Sequence, residues 1–161
     1  MAYGYIFQKY DSKTQARAVG LSLPVSTKKA VEICLRIKGK SVEKAKGYLS
    51  RVMSATQPVL YTRFNRGGAG HKPGMAVARY PMKTAEHMLY LLESVEANAE
   101  SKGLNTKSLV ITHIAAQKAG KSWHYGRLRR RKMKRTTVEV VVSELEEKKT
   151  EKKKVKVASK Q

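Results

Sequence analysis

Blocks of helical and extended character alternate along this 161-residue sequence, so it predicts a mixed fold of helices and antiparallel strands. Three observations carry that expectation. Apolar residues recur at three- and four-residue spacing in three segments, the mark of amphipathic helices. Val, Ile and Thr concentrate in two later segments, Ser108 to Gln117 and Thr136 to Leu145, which read as strands. The interval between those strands is crowded with Lys and Arg, which makes it the far end of one long hairpin.

The N-terminal segment alternates Tyr3, Tyr5 and Phe7 with Ala2, Gly4 and Ile6, a period-two pattern that suits a strand or an extended arm. Such aromatics can stack on bases, but more often they pack on the domain's own sheet. A second extended piece runs from Ala16 to Val25, where Leu23 precedes Pro24 and is biased away from helix. Ser26 is placed to cap a helix whose stripe is Ala30, Ile33, Cys34 and Ile37, with Gly39 closing it. Ser41 is placed to cap the next, with Val42, Ala45, Leu49, Val52 and Met53 on its apolar face and Glu43 at the positive end of its dipole. From Thr56 to Tyr80 the periodicity is lost and Gly67, Gly68, Gly70 and Gly74 appear, so an irregular loop is expected. The third helix starts at Pro81, buries Ala85, Met88, Leu89, Leu92, Val95 and Ala99, and ends at Gly103. Residues 1–145 are expected to form one domain, with the hairpin at 108–145. Residues 146–161 mix Glu and Lys with few apolar anchors and read as a charged, solvated tail.

Charge is the strongest functional signal. Lys and Arg total 34 against 12 acidic residues, a formal net charge of +22, far beyond what solubility requires. No acidic residue lies between Glu100 and Glu139, nor between Glu43 and Glu86, whereas Glu86, Glu93, Glu96 and Glu100 share one face of the third helix. That face should turn away from a polyanion. Nine of the nineteen positions from Gln117 to Arg135 are Lys or Arg, with Trp123, His124 and Tyr125 among them, a combination that neutralises phosphates and stacks on exposed bases. Arg63, Phe64, Asn65 and Arg66, followed by the glycines, offer the same chemistry on a short loop. Without a polyanion to neutralise it, the hairpin end should be floppy and order only on binding.

Other chemistries find little support. No segment approaches the ~20 apolar residues of a spanning helix, and the MAYGYIFQKY start lacks the basic and apolar regions of a signal peptide, so the chain is read as intracellular. The single cysteine, Cys34, allows no internal disulfide, and His71, His87, His113 and His124 lie on separate elements, which argues against a metal site. Ala115 to Ser122 mimics a relaxed phosphate loop, but Trp123 to Arg127 is not the amphipathic helix such a loop needs, and Asp11 is the only aspartate. No cofactor, small-molecule substrate or enzymatic activity is expected. By charge alone a free RNA chaperone or an architectural nucleic-acid-binding protein fits as well as a ribonucleoprotein component.

Particular residues narrow the choice. Ser26-Thr27-Lys28-Lys29-Ala30, Ile37-Lys38-Gly39-Lys40-Ser41 and Glu43-Lys44-Ala45 resemble the paired-helix signature of the large-subunit ribosomal protein family called L-twenty-two in bacteria and L-seventeen in eukaryotes. Tyr61-Thr62-Arg63-Phe64-Asn65-Arg66 is similar to its Phe-Arg-Arg-Tyr-Asn segment, and Arg79-Tyr80-Pro81-Met82-Lys83 to its Arg-Tyr-Pro-x-Lys helix start. Glu96 through Leu104 matches its Ala-Asn-Ala-Glu-x-x-Gly-Leu helix exit, the most specific of the set. Together these cover Ala16 to Leu145, and the insertion between the second and third helices suggests the archaeal or eukaryotic branch. Thr62 stands where the family's motif has an arginine. After Gly126-Arg127 the run Arg129-Arg130-Arg131-Lys132 replaces a less charged, proline-containing stretch, on a hairpin end that looks shorter than usual.

The resemblance implies an α+β domain of three helices packed on a small antiparallel sheet, with a long protruding hairpin that reaches into the wall of the peptide exit tunnel. It further implies a cytoplasmic protein held in the ribosome by large-subunit rRNA and neighbouring ribosomal proteins, with the nascent peptide as a further candidate partner. The expected rRNA-binding residues of the globular end are Lys28, Lys29, Arg36, Lys38, Lys40, Arg63, Phe64, Asn65, Arg66, His71, Lys72 and Arg79. Those of the hairpin are Lys118, Lys121, Trp123, Arg127, Arg129, Arg130, Arg131, Lys132, Lys134 and Arg135. At ~3.3 Å per residue, arms of about nine residues would carry the basic end on the order of 30 Å beyond the folded sheet.

Overall fold

The computed structural model describes residues 3–66, 70, 74–75 and 77–144. Strand β1 (Gln15–Leu23) leads into helix α1 (Thr27–Ile37) and helix α2 (Val42–Met53). Two short strands, β2 (Val59–Leu60) and β3 (Ala78–Arg79), pair with each other inside the expected loop. Helix α3 (Met82–Ser101) follows, then strands β4 (Leu109–Lys118) and β5 (Thr136–Glu144). The main sheet is antiparallel in the order β1-β5-β4, so the last strand is central, and the helices pack on it. The fold is the expected α+β arrangement; the charged tail lies outside the described residues.

The central position of β5 explains its composition. Val138, Val140 and Val142 face the core formed with Ile33, Leu49, Met88 and Leu92, while Glu139 and Val141 on the opposite face are equally buried. A strand covered on both sides reads as a continuous apolar run, and β5 nearly does. Its second face is covered by the N-terminal segment, which is an arm and not a strand. Glu139 organises that arm: its carboxylate accepts from the Ile6 amide at 3.1 Å, the Tyr3 hydroxyl at 3.2 Å and the His113 ring at 2.8 Å. Burial, with the Glu139 charge next in weight, pushes the Tyr3 phenol above its usual pKa. Phe7 packs against His113 with ring centroids 5.2 Å apart. Of the two readings of these aromatics, packing on the domain's own sheet is the one observed.

Helix boundaries follow the expected residues, with one difference. Ser26 and Ser41 occupy the N-cap positions, yet neither side chain makes a capping hydrogen bond. Gly39 (φ +77°) and Gly103 (φ +75°) take the left-handed conformation that ends α1 and α3 at little steric cost. The α1–α2 turn then docks on the free edge of β4: the Gly39 amide donates to the Ile111 carbonyl at 2.9 Å and the Ile111 amide to the Lys40 carbonyl at 3.0 Å. The edge is thereby covered, as exposed edges generally must be. On α3, Glu96 pairs with Lys46 of α2, while Glu93 and Glu100 are exposed.

Candidate nucleic-acid interface

Where the chain leaves β1 for α1, the Thr136 hydroxyl at the root of the hairpin donates to the Val25 carbonyl at 3.0 Å and accepts from the Thr27 hydroxyl at 2.8 Å. Thr136 is fully buried, so this junction fixes the first turn of α1 against the hairpin root. Two clefts open beside it. The larger, about 440 Å³, is lined by Ser26, Thr27, Lys28, Lys118, Lys121, Lys134 and Arg135. The smaller, about 200 Å³, is lined by Ser26, Lys28, Lys29, Tyr61, Phe64, Arg66, Arg79 and Lys134. The clefts share Ser26, Lys28 and Lys134, and neither has a carboxylate in its lining. Since no acidic residue sits in the first turn of α1 and Ser26 does not cap it, the amides and dipole of that terminus add to the positive field.

The loop carrying Arg63 to Arg66 hangs on Glu32, which is fully buried within α1. One carboxylate oxygen accepts from the Arg63 and Phe64 amides at 2.9 and 2.7 Å; the other accepts from the Thr62 amide and hydroxyl at 3.2 and 3.3 Å. An acid in the basic half of the molecule is thus turned inward to shape a loop whose Arg63, Asn65 and Arg66 stay exposed. Phe64 is half-buried, with Lys28 Nζ 5.7 Å and Arg63 Cζ 5.6 Å from its ring centroid.

Beyond β4 and β5 the ladder continues into the tip through Ala119 N to Arg135 O (3.2 Å), Met133 N to Ser122 O (2.8 Å) and His124 N to Arg131 O (2.9 Å). A short 3-10 turn, Gly126–Leu128, closes it. The tip therefore has more regular backbone structure than the floppy segment its charge suggested, because pairing needs only the backbone and Lys132 Nζ sits 4.6 Å over the Trp123 ring. Its side chains are open: Trp123 is 57% exposed, and Arg127, Arg129, Arg130, Arg131 and Lys132 are all exposed.

The other expected residues lie apart from this cleft pair. Lys40 Nζ stands 4.9 Å over the Tyr48 ring, and Lys38 borders, with Leu35, Arg63 and Ile114, a groove of about 230 Å³ on another side of α1. Arg36 is half-buried, and His71 and Lys72 lie outside the described residues. Three lining residues fall outside the sequence-based expectation for this role: Ser26, expected only as a helix cap, Tyr61, which belongs only to a family-like motif, and Thr27, which likewise belongs only to such a motif. An unused Ser beside a Lys pair was the available signal for the first; none existed for the second.

Among the described residues, the sequence motifs that mimic reactive sites fall as follows. The phosphate-loop lookalike is partly inside β4 and is followed by the bridge between Trp123 and Lys132, not by a helix whose amides could hold phosphates. Among the described residues no cluster of His, Cys, Asp and Glu could hold a metal. Burial pushes the Cys34 thiol up to about 12, far from a reactive thiolate.

Cation-lined clefts without acids, an inward-turned Glu32 and an open basic tip together give this side of the fold its positive character. The family model for ribosomal protein L22p/L17e matches residues 18–143, and the chain belongs to that family of structural ribosomal proteins. It is 41% identical over 152 residues to the large ribosomal subunit protein uL22 of Ignicoccus hospitalis, covering 88% of this chain and 94% of that protein. Against uL22 of Staphylothermus marinus identity is 38% over 153 residues, covering 88% and 97%. Against that of Archaeoglobus fulgidus it is 38% over 145 residues, covering 85% and 93%. The chain is of the archaeal type.

Proposed function

We propose that this chain is a structural constituent of the large ribosomal subunit in the cytoplasm, binding its rRNA with the hairpin-root clefts, the Arg63 to Arg66 loop and the hairpin. The observation that carries the reading is the pair of acid-free basic clefts beside the Thr27–Thr136 junction, continuous in sequence with the exposed tip. The root holds RNA in a fixed register, while the tip fills a deeper RNA crevice along the peptide exit tunnel. There it borders neighbouring ribosomal proteins and the passing nascent peptide. Recognition is charge neutralisation combined with shape, as expected where RNA is read without a major-groove code.

Binding of the purified chain to a large-subunit rRNA transcript should depend steeply on salt, since each neutralised phosphate releases a condensed counterion. With about six to ten contacts, affinity should fall by roughly three to five decades between 50 and 200 mM salt on the duplex scale, and somewhat less on irregular RNA. A flat response, or a chain that stays in the post-ribosomal supernatant at moderate salt, would count against the reading.

A further inference from the structure

Tyr61 is the unusual member of the smaller cleft. It is 6% exposed, and its buried hydroxyl has no hydrogen-bond partner among the described residues. A polar group in that position is normally satisfied, and one that is not calls for a reason. The neighbouring carboxylate cannot supply one. Glu32 lies close enough to act on the phenol, but its two oxygens already accept four donors from Thr62, Arg63 and Phe64, which fills the lone-pair capacity of a carboxylate. Arg79, in the lining of the same cleft, acts on the phenol with the opposite sign, but a guanidinium has no acceptor to offer. Burial pushes the Tyr61 pKa up to about 12, so the hydroxyl remains a donor at any working pH.

A wall rich in donors and cations, formed by a phenol, a guanidinium, the Lys28 and Lys134 ammonium groups and an uncapped helix start, lacks one thing: an acceptor carrying negative charge. We propose that the smaller cleft is a built site for one backbone phosphate of rRNA, with the Tyr61 hydroxyl donating to a non-bridging oxygen. This deepens the rRNA-binding reading and rests on it. The Ser26 hydroxyl, free of capping duty, faces the same cleft and its larger neighbour, so an adjacent phosphate of the same strand can occupy the second cleft. Tyr61 is then a positioning donor that selects where on the strand the cations close, whereas Arg79 and Lys134 supply the charge.

The test uses the full chain and a transcript of archaeal large-subunit rRNA, with affinity measured across a salt series for the unsubstituted protein, Tyr61→Phe and Arg79→Gln. Tyr61→Phe should weaken binding about tenfold, the size of a hydrogen bond to a charged group. It should leave the salt slope unchanged, because no charge is removed. Its melting temperature should stay level or rise, because the deleted hydroxyl has no partner among the described residues. Arg79→Gln should lower the slope by about one unit. Affinity of Tyr61→Phe within twofold of the unsubstituted chain, a lowered melting temperature, or an altered slope would each overturn the proposal while the steep salt dependence of the parent leaves the rRNA reading standing. Absence of salt-dependent binding by the parent itself would overturn that reading and this inference together.

Discussion

At the hairpin root, Lys28, Lys134 and Arg79 stand on backbone tied down by the Thr27–Thr136 junction, the Glu32 carboxylate and the pairing of β2 with β3. At the tip, Arg127 to Lys132 ride on a two-sided ladder whose side chains are open to solvent. The residue types hardly differ between the two regions; what differs is how much of the ordering cost is met before RNA arrives. Fixing a residue's backbone costs on the order of 1–2 kcal/mol, and ordering a Lys or Arg side chain up to roughly 2 kcal/mol more, so the root can bind as a preformed mould. On the proposed reading, the tip adapts its side chains to the RNA crevice it enters. That reading has preorganised cations set register and adaptable cations fill space.

The sharpest way to break this comparison is to damage what holds the root. Leu92 is 1% exposed in the core beneath the sheet, and Leu92→Asp would strand a charge there. Circular dichroism should find no cooperative folding transition in that variant. Replacing Arg129, Arg130 and Arg131 together by Ala should leave the melting temperature of the free protein within about four degrees, since exposed substitutions rarely exceed ~0.5 kcal/mol each. Comparable losses in both would show that the tip is part of the folded body.

Excising the tip sharpens the division of labour, and the structure dictates where to cut. A deletion of Lys118 to Arg135 would also remove Lys118, Lys121, Lys134 and Arg135 from the larger cleft, so the cleaner excision replaces residues 123–132 with a short Gly-containing turn. Ser122 and Met133 are hydrogen-bonded across the ladder and can be joined by such a turn. Five cations leave, Arg127, Arg129, Arg130, Arg131 and Lys132, which should lower the salt slope of rRNA binding by about four units if each neutralises one phosphate. The truncated protein should still enter the large subunit, with the defect read as altered tunnel architecture or nascent-chain pausing. Failure of a folded truncation to join particles would make the tip the primary anchor.

How far the sequence speaks divides along the same line. The three helices and the long hairpin were legible because periodicity is a local property: Ala85, Met88, Leu92, Val95 and Ala99 fall on one face whatever else the chain does. Glu32 and Glu139 were not legible as organisers. Their partners lie roughly 30 residues away for Glu32 and up to 136 for Glu139, distances over which no pattern carries information. The clefts are harder still, being assembled from the start of α1, the Tyr61 loop, β3 and both hairpin strands, so the cations could be named but not grouped. Charge alone also misjudged the tip, whose ladder depends on backbone pairing to which the Lys and Arg side chains are indifferent.

Glu32→Gln probes the root from inside. The amide keeps one acceptor oxygen but turns an NH₂ toward amides that need an acceptor, so two buried donors lose their partner. Destabilisation of about 2–3 kcal/mol is expected, a melting shift of roughly 5–10 °C for a domain this size. Affinity for rRNA should fall with it even though the protein's net charge has become more positive. A variant that binds RNA more tightly would show that net charge outweighs loop geometry, and the contrast between root and tip would lose its basis.

The smallest effect tests the tip's own structure. Lys132 over Trp123 is an exposed cation–π contact, worth about 0.5–1 kcal/mol where water competes. Because the tip ladder can open without disturbing the sheet, Lys132→Gln should act on local opening alone. Hydrogen exchange at the His124 amide, which donates to the Arg131 carbonyl, should accelerate about two- to fivefold, the Boltzmann equivalent of that energy. Exchange at Val140 and Val142 in the central strand should not change, nor should the melting temperature. If the central strand also loses protection, the tip and the sheet open as one cooperative unit, and the root owes part of its rigidity to the tip itself.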